Sequence, residues 1–452
     1  MNHLPHLPQP ALSALEQLNT AGYEAFLVGG CVRDWLMGRE PGDYDITTSA
    51  LPEQVEAVFA GQRIIETGLK HGTVTVLQEG LPLEITTYRR DVSYSDHRHP
   101  DAVCFTPSLA EDLARRDFTV NAMAWSPVQG LVDLHGGRAD LEHRVIRCVG
   151  DPDARFEEDA LRILRALRFA SVLGFDLDPD TARAALEKRQ LLELVSRERI
   201  AVELTKLVCG KHVRRIVTQH WPVLAVPVPE LAPMAGFDQH SKYHCYDVLT
   251  HCAVAAETAP ADRITRWAAL LHDVGKPACF TRDERGRGHF YGHAGRSARL
   301  TEQILTRLRF DRDTVRRVTA LVELHDYPID PTEGSPARAV KKLLNRLGEE
   351  DFFRLLDVKR ADALAHAPAY RGRTAACDRL ETLARELLAA EACFSLKDLA
   401  VNGRDLQALG IPPGPGLGRI LETLLDAVLS DRLPNQREAL LEAARTQVRI
   451  EN

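Results

Sequence analysis

The 452-residue chain has no run of 18 apolar residues, so nothing in it reads as a membrane-spanning helix. Its opening residues, MNHLPHLPQP, contain neither a basic nor an apolar segment, which argues against a secretory signal. The nine cysteines include no Cys-x-x-Cys pair, and an odd, scattered set suits reduced thiols in the cytoplasm. Positive charge is also short. Lys and Arg number 57 against 64 Asp and Glu, a formal charge of −7, so any nucleic-acid contact must come from a local patch. A hydrophobic content of 44% and a charged content of 27% are ordinary for a globular chain of this length, which has room for several domains.

What is present concentrates between Leu27 and Thr48. An apolar, strand-like run from Tyr23 to Val28 ends in Gly29-Gly30 and passes into a helix-like run from Cys31 to Met37. A turn over Gly38 to Gly42 follows, and Asp43-Tyr44-Asp45 opens a second strand-like run. Paired glycines at a strand-to-helix turn let backbone N–H groups approach a phosphate with no Cβ in the way. Aspartates at i and i+2 of a strand share a face, where their carboxylates can hold divalent metal ions. Either feature alone is common turn chemistry. In this order they equip a site for two-metal phosphoryl or nucleotidyl transfer.

GGCVRD followed by GDYDITT resembles the signature of the polymerase-β-like nucleotidyltransferases, in the group of class II tRNA CCA-adding enzymes and bacterial poly(A) polymerases. That resemblance implies an α+β chain: a nucleotidyltransferase head with a small mixed sheet and helices, then all-α neck, HD and body/tail domains. The expected boundaries are 1–150 for the head, 151–225 for the neck, 235–370 for the HD domain and 378–452 for the tail. Catalysis would rest on Asp43 and Asp45 with Mg²⁺, and Gly29, Gly30, Arg33 and Arg116 would hold the triphosphate. Thr73 to Gln78 and Leu83 to Tyr88 alternate around Glu79-Gly80 and predict a β-hairpin. Glu84 in its second strand is the expected third carboxylate, a buried salt-bridged edge residue being the alternative.

Residues 89–105, RRDVSYSDHRHPDAVCF, read as a loop. Its later part is similar to the flexible loop of nucleotidyltransferases that add A. Arg115 to Ala122, RRDFTVNA, resembles the family's RRDFTxNA motif, whose arginines can clamp phosphate oxygens. Asp133-Leu-His-Gly-Gly137 is a turn that the family also carries. Further on, Asp159, Arg162 and Arg165 fall at i, i+3 and i+6, which predicts one helix face. Leu161, Ile163, Leu164 and Leu167 supply its packing side.

Cytosine and adenine both present an amino donor beside a ring-nitrogen acceptor, and uracil and guanine present the reverse. An Asp acceptor next to an Arg donor fork therefore fits C and A. The segment resembles the family's EDxxR motif, in which side chains choose the incoming base, and extends the expected nucleotide-binding set to Asp159, Arg162, Arg165 and Arg168. A salt-bridged amphipathic helix is the plainer alternative. Val195 to Lys206 resembles the helical neck that follows the motif.

Four prolines between His220 and Gly236 mark a boundary. Beyond it come His251, then LLHDVGK with His272 and Asp273, then His293, His325 and Asp362. This set resembles the HD superfamily of metal-dependent phosphohydrolases. His251, His272, Asp273 and Asp362 would be the ligands of the first metal, and His293 and His325 would complete the site of a second metal. Such a His-rich site would accept softer ions than the head does, Ni²⁺, Mn²⁺ or Co²⁺. A metal-free helical scaffold is the alternative.

Near the end, Asn402-Gly403 and the Gly410 to Gly416 run are turn chemistry, followed by a helix-like run from Leu417 to Leu429. These resemble the body-to-tail region of CCA-adding enzymes, which docks the acceptor and TΨC arms of tRNA. No basic run accompanies them. The expected partners are therefore tRNA, ATP and CTP, with no membrane; the sequence names no protein partner. Poly(A) polymerase and an A-only-adding enzyme remain alternatives, although Ile64 to Val76 lacks the GRRF-like signature associated with the former. A nucleotide-sensing regulator is disfavoured by the intact Asp43 and Asp45.

Overall fold

The computed structural model describes residues 6–68, 72–91, 103–329, 336–390 and 394–451. It divides into two compact units, Met1–Ala232 and Pro233–Asn452, so the division falls inside the proline-rich stretch.

The first unit opens with helix α1 (Gln9–Thr20), whose Ala11, Ala14, Leu15 and Leu18 are fully buried. That spacing is one face of a 3.6-residue period, and burying each leucine contributes about 1.5–3 kcal/mol. Strand β1 (Ala25–Val28) leads through helix α2 (Gly30–Leu36) into β2 (Tyr44–Thr48) and helix α3 (Pro52–Val58). Strands β3 (Arg63–Gly68), β4 (Thr73–Gln78) and β5 (Leu81–Thr87) follow. The β4–β5 turn has Glu79 and Gly80 both at positive φ, 49° and 86°, the geometry that matches strand twist in a two-residue hairpin.

Short strands β6 (Arg89–Asp91) and β7 (Val103–Phe105) pair antiparallel. The ends of the expected loop are thus a ribbon, and residues 92–102 of it lie outside the described residues. Helix α4 (Leu109–Ala114), strands β8 (Met123–Ser126) and β9 (Gly130–Asp133) and helix α5 (Gly137–His143) complete the head. The Asp133 carboxylate caps α5 by accepting from the N–H groups of Gly137 and Arg138.

The seven-stranded sheet runs β3-β4-β5-β2-β1-β8-β9. All its pairings are antiparallel except β2 with β5, which sets Asp45 directly opposite Glu84. Glu84 is exposed on an inner strand, so the buried-edge alternative does not hold. Leu27, Ile46, Leu83 and Ile85 face the core under α1 and α3. Asp45, Thr47 and Glu84 alternate with these residues and therefore take the opposite face.

Helices α6 (Pro152–Glu158), α7 (Leu161–Leu173), α8 (Pro179–Glu187), α9 (Arg197–Val208) and α10 (Val213–Leu224) form the rest of this unit. Leu161, Ile163, Leu164 and Leu167 are buried as expected. The single helix face carrying Asp159 is not formed. Asp159 is extended at φ −138° and ψ 102°, between α6 and α7. Its carboxylate accepts from the Leu161 N–H at 3.0 Å, so it ends one helix and starts the next. Helix α10 kinks at His220, just before Pro222.

The second unit is helical: α11 (Val248–Thr258), α12 (Arg263–Leu271), α13 (His293–Arg307), α14 (Arg312–Leu324), α15 (Pro336–Leu347), α16 (Glu349–Ala365) and α17 (Thr374–Ala389). Three further helices, α18 (Gly403–Ala408), α19 (Pro415–Leu429) and α20 (Arg437–Glu451), enclose a separate apolar cluster around Leu406, Leu424 and Leu440. Asn402 is more than turn chemistry. It caps α18 through the N–H groups of Arg404 and Asp405, while Asp405 returns a bond to the Asn402 N–H. No helix among the described residues is long and apolar enough to cross a membrane.

Candidate active sites

In the head, Gly29 adopts φ 79° at the strand-to-helix turn, and a Cβ there would lie 3.2 Å from Nη1 of Arg116. Backbone and guanidinium can approach this closely only because the residue is glycine. Asp45 is half-buried, and its carboxyl is pushed up to about 6, first by burial and then by the charges of Asp43 and Glu84, with Arg116 opposing. Gly29, Arg116, Asp43, Asp45 and Glu84 therefore converge. A carboxyl raised in this way by burial and by two neighbouring carboxylates wants a cation, which is the observation that fits a divalent metal here.

Sequence reasoning missed what holds Arg116. Asp112 is fully buried and pairs with Arg115 at 2.7 Å and Arg116 at 3.3 Å. It also accepts from Thr47 Oγ1 at 3.1 Å, on the strand that carries Asp45, and from the Arg89 N–H at 3.4 Å. Burial pushes its carboxyl up, but the Arg116 and Arg115 guanidiniums outweigh this and hold it below the usual range. In sequence Asp112 reads as one more acid in the first turn of a short helix. Only burial sets it apart.

Arg33 is buried, with its fork held by Asp34 at 2.9 Å and by Asn121 Oδ1 at 2.7 Å. Asn121 in turn donates to Asp117 at 3.3 Å, and Asp117 takes Arg165 through Nε at 2.8 Å. Asp117 is held down to about 2: burial opposes the charge, and Arg165 overrides it. The guanidiniums of Arg33, Arg165 and Arg168 lie 5.2, 5.5 and 3.9 Å from the Phe169 ring, a cation–π cluster that the motif alone did not reveal. Arg168 also pairs with Glu203 at 2.7 Å. Arg162 donates to Glu158 at 2.6 Å and to the Arg115 carbonyl at 3.0 Å, and Asp159 pairs with Arg199 at 2.9 Å. Thus Arg162, Arg165 and Arg168 lie on α7, and Asp159 flanks it.

In the second unit all six expected residues come together. His251 Nε2 lies 2.9 Å from Asp362 Oδ1, and His272 Nε2 lies 3.1 Å from Asp273 Oδ2. Ligand atoms of His251, His272 and Asp273 fall within 4.8 Å of one another, as do those of Asp273, His293 and His325. Asp273 is common to both groups. The Nδ1–H groups of His272, His293 and His325 reach the carbonyls of Ala269, Phe290 and Val322 at 2.7–2.8 Å, which turns each Nε2 inward.

Two buried inward atoms, His272 Nε2 and Asp273 Oδ1, have no hydrogen-bond partner among the described residues. This orphaned donor set fits a pair of cations sharing Asp273. Burial disfavours charge on His272, yet Asp273 beside it lifts its basicity well above the ordinary value. Burial likewise opposes ionised Asp273 and Asp362, and the neighbouring histidines hold both well below the carboxylate range. Sequence reasoning passed over Lys276 as a site residue; its Nζ sits 2.6 Å from Asp273 Oδ2 and 2.8 Å from Gln239 Oε1. It also passed over His244 and His366, whose rings lie 5.1 and 5.4 Å from that of His251.

The chain is 36% identical to the CCA-adding enzyme of Levilactobacillus brevis over 446 residues, 98% of this chain and 99% of that one. It belongs to the CCA-adding enzyme family. The relative from Anoxybacillus flavithermus is 34% identical over 98% of both chains. Residues 25–147 match the poly A polymerase head domain, and residues 292–444 match the second tRNA nucleotidyltransferase domain. Among solved structures, the Bacillus stearothermophilus CCA-adding enzyme in complex with CTP superposes with a TM-score of 0.74 at 31% identity, over 98% of this chain and 99% of that one. A mixed-sheet head followed along the chain by helices is therefore the fold of this family.

Proposed function

We propose that this protein adds or repairs the 3′-terminal CCA of tRNA from CTP and ATP, as a cytoplasmic nucleotidyltransferase using Mg²⁺. The observation that carries the reading is the convergence of Asp43, Asp45 and Glu84 with Arg116 and the Gly29 turn. Asp43 and Asp45 would hold the metal ions, which supply charge stabilisation at the α-phosphate and activation of the tRNA 3′-hydroxyl. With no Cβ at Gly29 or Gly30 the turn lets phosphate oxygens approach, while the Gly29 N–H itself is taken by the Met123 carbonyl, and Arg116, fixed by Asp112, neutralises the departing pyrophosphate. Arg33 orders the site through Asn121. Asp159 and Arg162 would offer an acceptor and a donor fork to the base by exchanging their present partners Arg199 and Glu158, with Arg165 and Arg168 beside them. The eight described cysteines are thiols outside any disulfide, as a reducing compartment requires. The test is a tRNA ending at the discriminator base, given each nucleoside triphosphate alone and in mixture, with its 3′ ends sequenced. CCA ends support the proposal; A-only or poly(A) ends replace it.

A second activity is favoured by Asp273 standing between two histidine groups. The HD cluster of His251, His272, Asp273, His293, His325 and Asp362 would hold two ions such as Ni²⁺, Mn²⁺ or Co²⁺ and hydrolyse a phosphate ester. Lys276 neutralises Asp273 and offers a positive charge beside the bound phosphate. Hydrolysis by protein loaded with each metal in turn tests it.

A further inference from the structure

Two cavities open on the metal cluster of the second unit. One, about 360 Å³, runs over Asp273, Lys276 and His293 toward Tyr243 and Tyr291. The other, about 500 Å³, runs along α17 past Lys359, Ala376 and Arg379 toward Tyr327. They meet at His325, Asp326, Asp362 and Arg373, which line both. Each volume is enough for a small ligand moiety. An ester held by the cluster therefore has room on both sides of its phosphorus.

The rims carry a second signal. Tyr243, Tyr291 and Tyr327 are 42%, 78% and 47% exposed; the first two line the smaller cavity and the third lines the larger. Tyr243 packs edge-on against Tyr370 at 4.6 Å, with the Lys242 ammonium 5.3 Å from its ring. Tyr291 lies parallel to the His289 ring, leaving its other face to solvent. Exposed rings lining both cavities of a phosphate site, one of them with an ammonium near its ring, are the equipment for stacking bases along a backbone.

Building on the phosphohydrolase reading of this cluster, we propose that its substrate is a phosphodiester with a nucleoside on each side: a dinucleotide or single-stranded RNA. Water adds its oxygen to phosphorus as one P–O ester bond breaks. One arm leaves as an alcohol that takes a water proton, and the other keeps the phosphate as a monoester. A monoester or a cyclic mononucleotide fills only one arm of the cleft.

The test uses Ala376→Trp, which fills the 500 Å³ arm from a half-buried helical position, away from the metal ligands. Arg379→Glu is the second variant, on an exposed residue of the same arm. In the full chain with chelator present, calorimetry should show adenylyl-adenosine binding weakened at least about tenfold by either substitution, as loss of one stacked base predicts, with adenosine 3′-phosphate unaffected. With Mn²⁺ loaded, adenylyl-adenosine hydrolysis should fall alike while p-nitrophenyl phosphate hydrolysis holds, and tRNA addition should hold throughout. A ten-nucleotide RNA run in parallel tells strand from free dinucleotide, either of which satisfies the two-armed cleft. Equal effects on one- and two-armed ligands, or none on either, overturn the proposal. If no ester is hydrolysed with any metal while the binding preference survives, the phosphohydrolase reading fails and the two-armed site stands.

Discussion

Replacing Asp45 with Asn should stabilise the metal-free head while severely slowing catalysis. The Asp45 carboxyl is pushed up to about 6 by burial and by Asp43 and Glu84, against about 3.9 in an unfolded chain. The native state thus binds more protons than the unfolded one between those values, so stability falls as pH rises through about 6 and is fully present below about 4. About two pH units correspond to about 3 kcal/mol, and solvent screening at a half-buried site brings the expected gain to about 1–3 kcal/mol. Hydrogen exchange of the β2 segment, residues 44–48, reads this directly. Comparing the two proteins at each pH cancels intrinsic exchange rates. With chelator at pH 8 the variant should exchange about 5- to 100-fold more slowly, and the difference should vanish near pH 4. Mg²⁺ should slow exchange in the unsubstituted protein only. A variant that exchanges faster than the unsubstituted protein at pH 8 without metal would refute the idea that these carboxylates oppose one another. Nucleotide addition should fall on the order of 10³-fold, as for loss of a principal electrostatic stabiliser.

Asp159→Ala and Arg162→Ala should lose preference for C and A by about 1–3 kcal/mol per contact while still binding triphosphate, read in misincorporation assays; slow but selective addition would leave only their ion pairs. Asp112→Asn should lower the thermal midpoint and raise KM for both triphosphates, because it leaves Arg115 and Arg116 without their buried counter-charge; an unchanged KM counts against Asp112 as the residue positioning Arg116. His272→Ala or Asp273→Ala should end metal-dependent ester hydrolysis yet leave tRNA addition near normal, with Asp43→Ala showing the reverse. One substitution silencing both activities in a folded protein would contradict two separate centres.

Much of the head was legible because its signals are local. Glycines 29 and 30 mark the turn, and period-two alternation marks the hairpin that carries Glu84. The parallel pairing that sets Glu84 across from Asp45 is a long-range choice, and no local pattern encodes it. Asp159 was misread as helical because residues 151–173 contain no glycine and no proline after Pro152. The available signal was an aspartate just ahead of an apolar-periodic run, which favours an N-terminal cap. The six side chains of the HD set were readable as a motif set, and the structure brings them together. Gln239 and His244 come from the irregular stretch before α11, where nothing in the sequence predicts that they turn toward Lys276.

The ribbon of β6 and β7 is rooted less simply than its two chain crossings suggest. Its first residue, Arg89, donates its N–H to Asp112 and accepts at its carbonyl from Nε–H of Arg115, so the root is cross-braced to the helix whose Asp112 holds Arg116. A graft that exchanges only residues 89–105 between two such enzymes would import an arm and leave its anchor behind. The transplantable unit extends through Arg116, because Asp112 holds both the Arg89 N–H at the root of the ribbon and the Arg116 guanidinium.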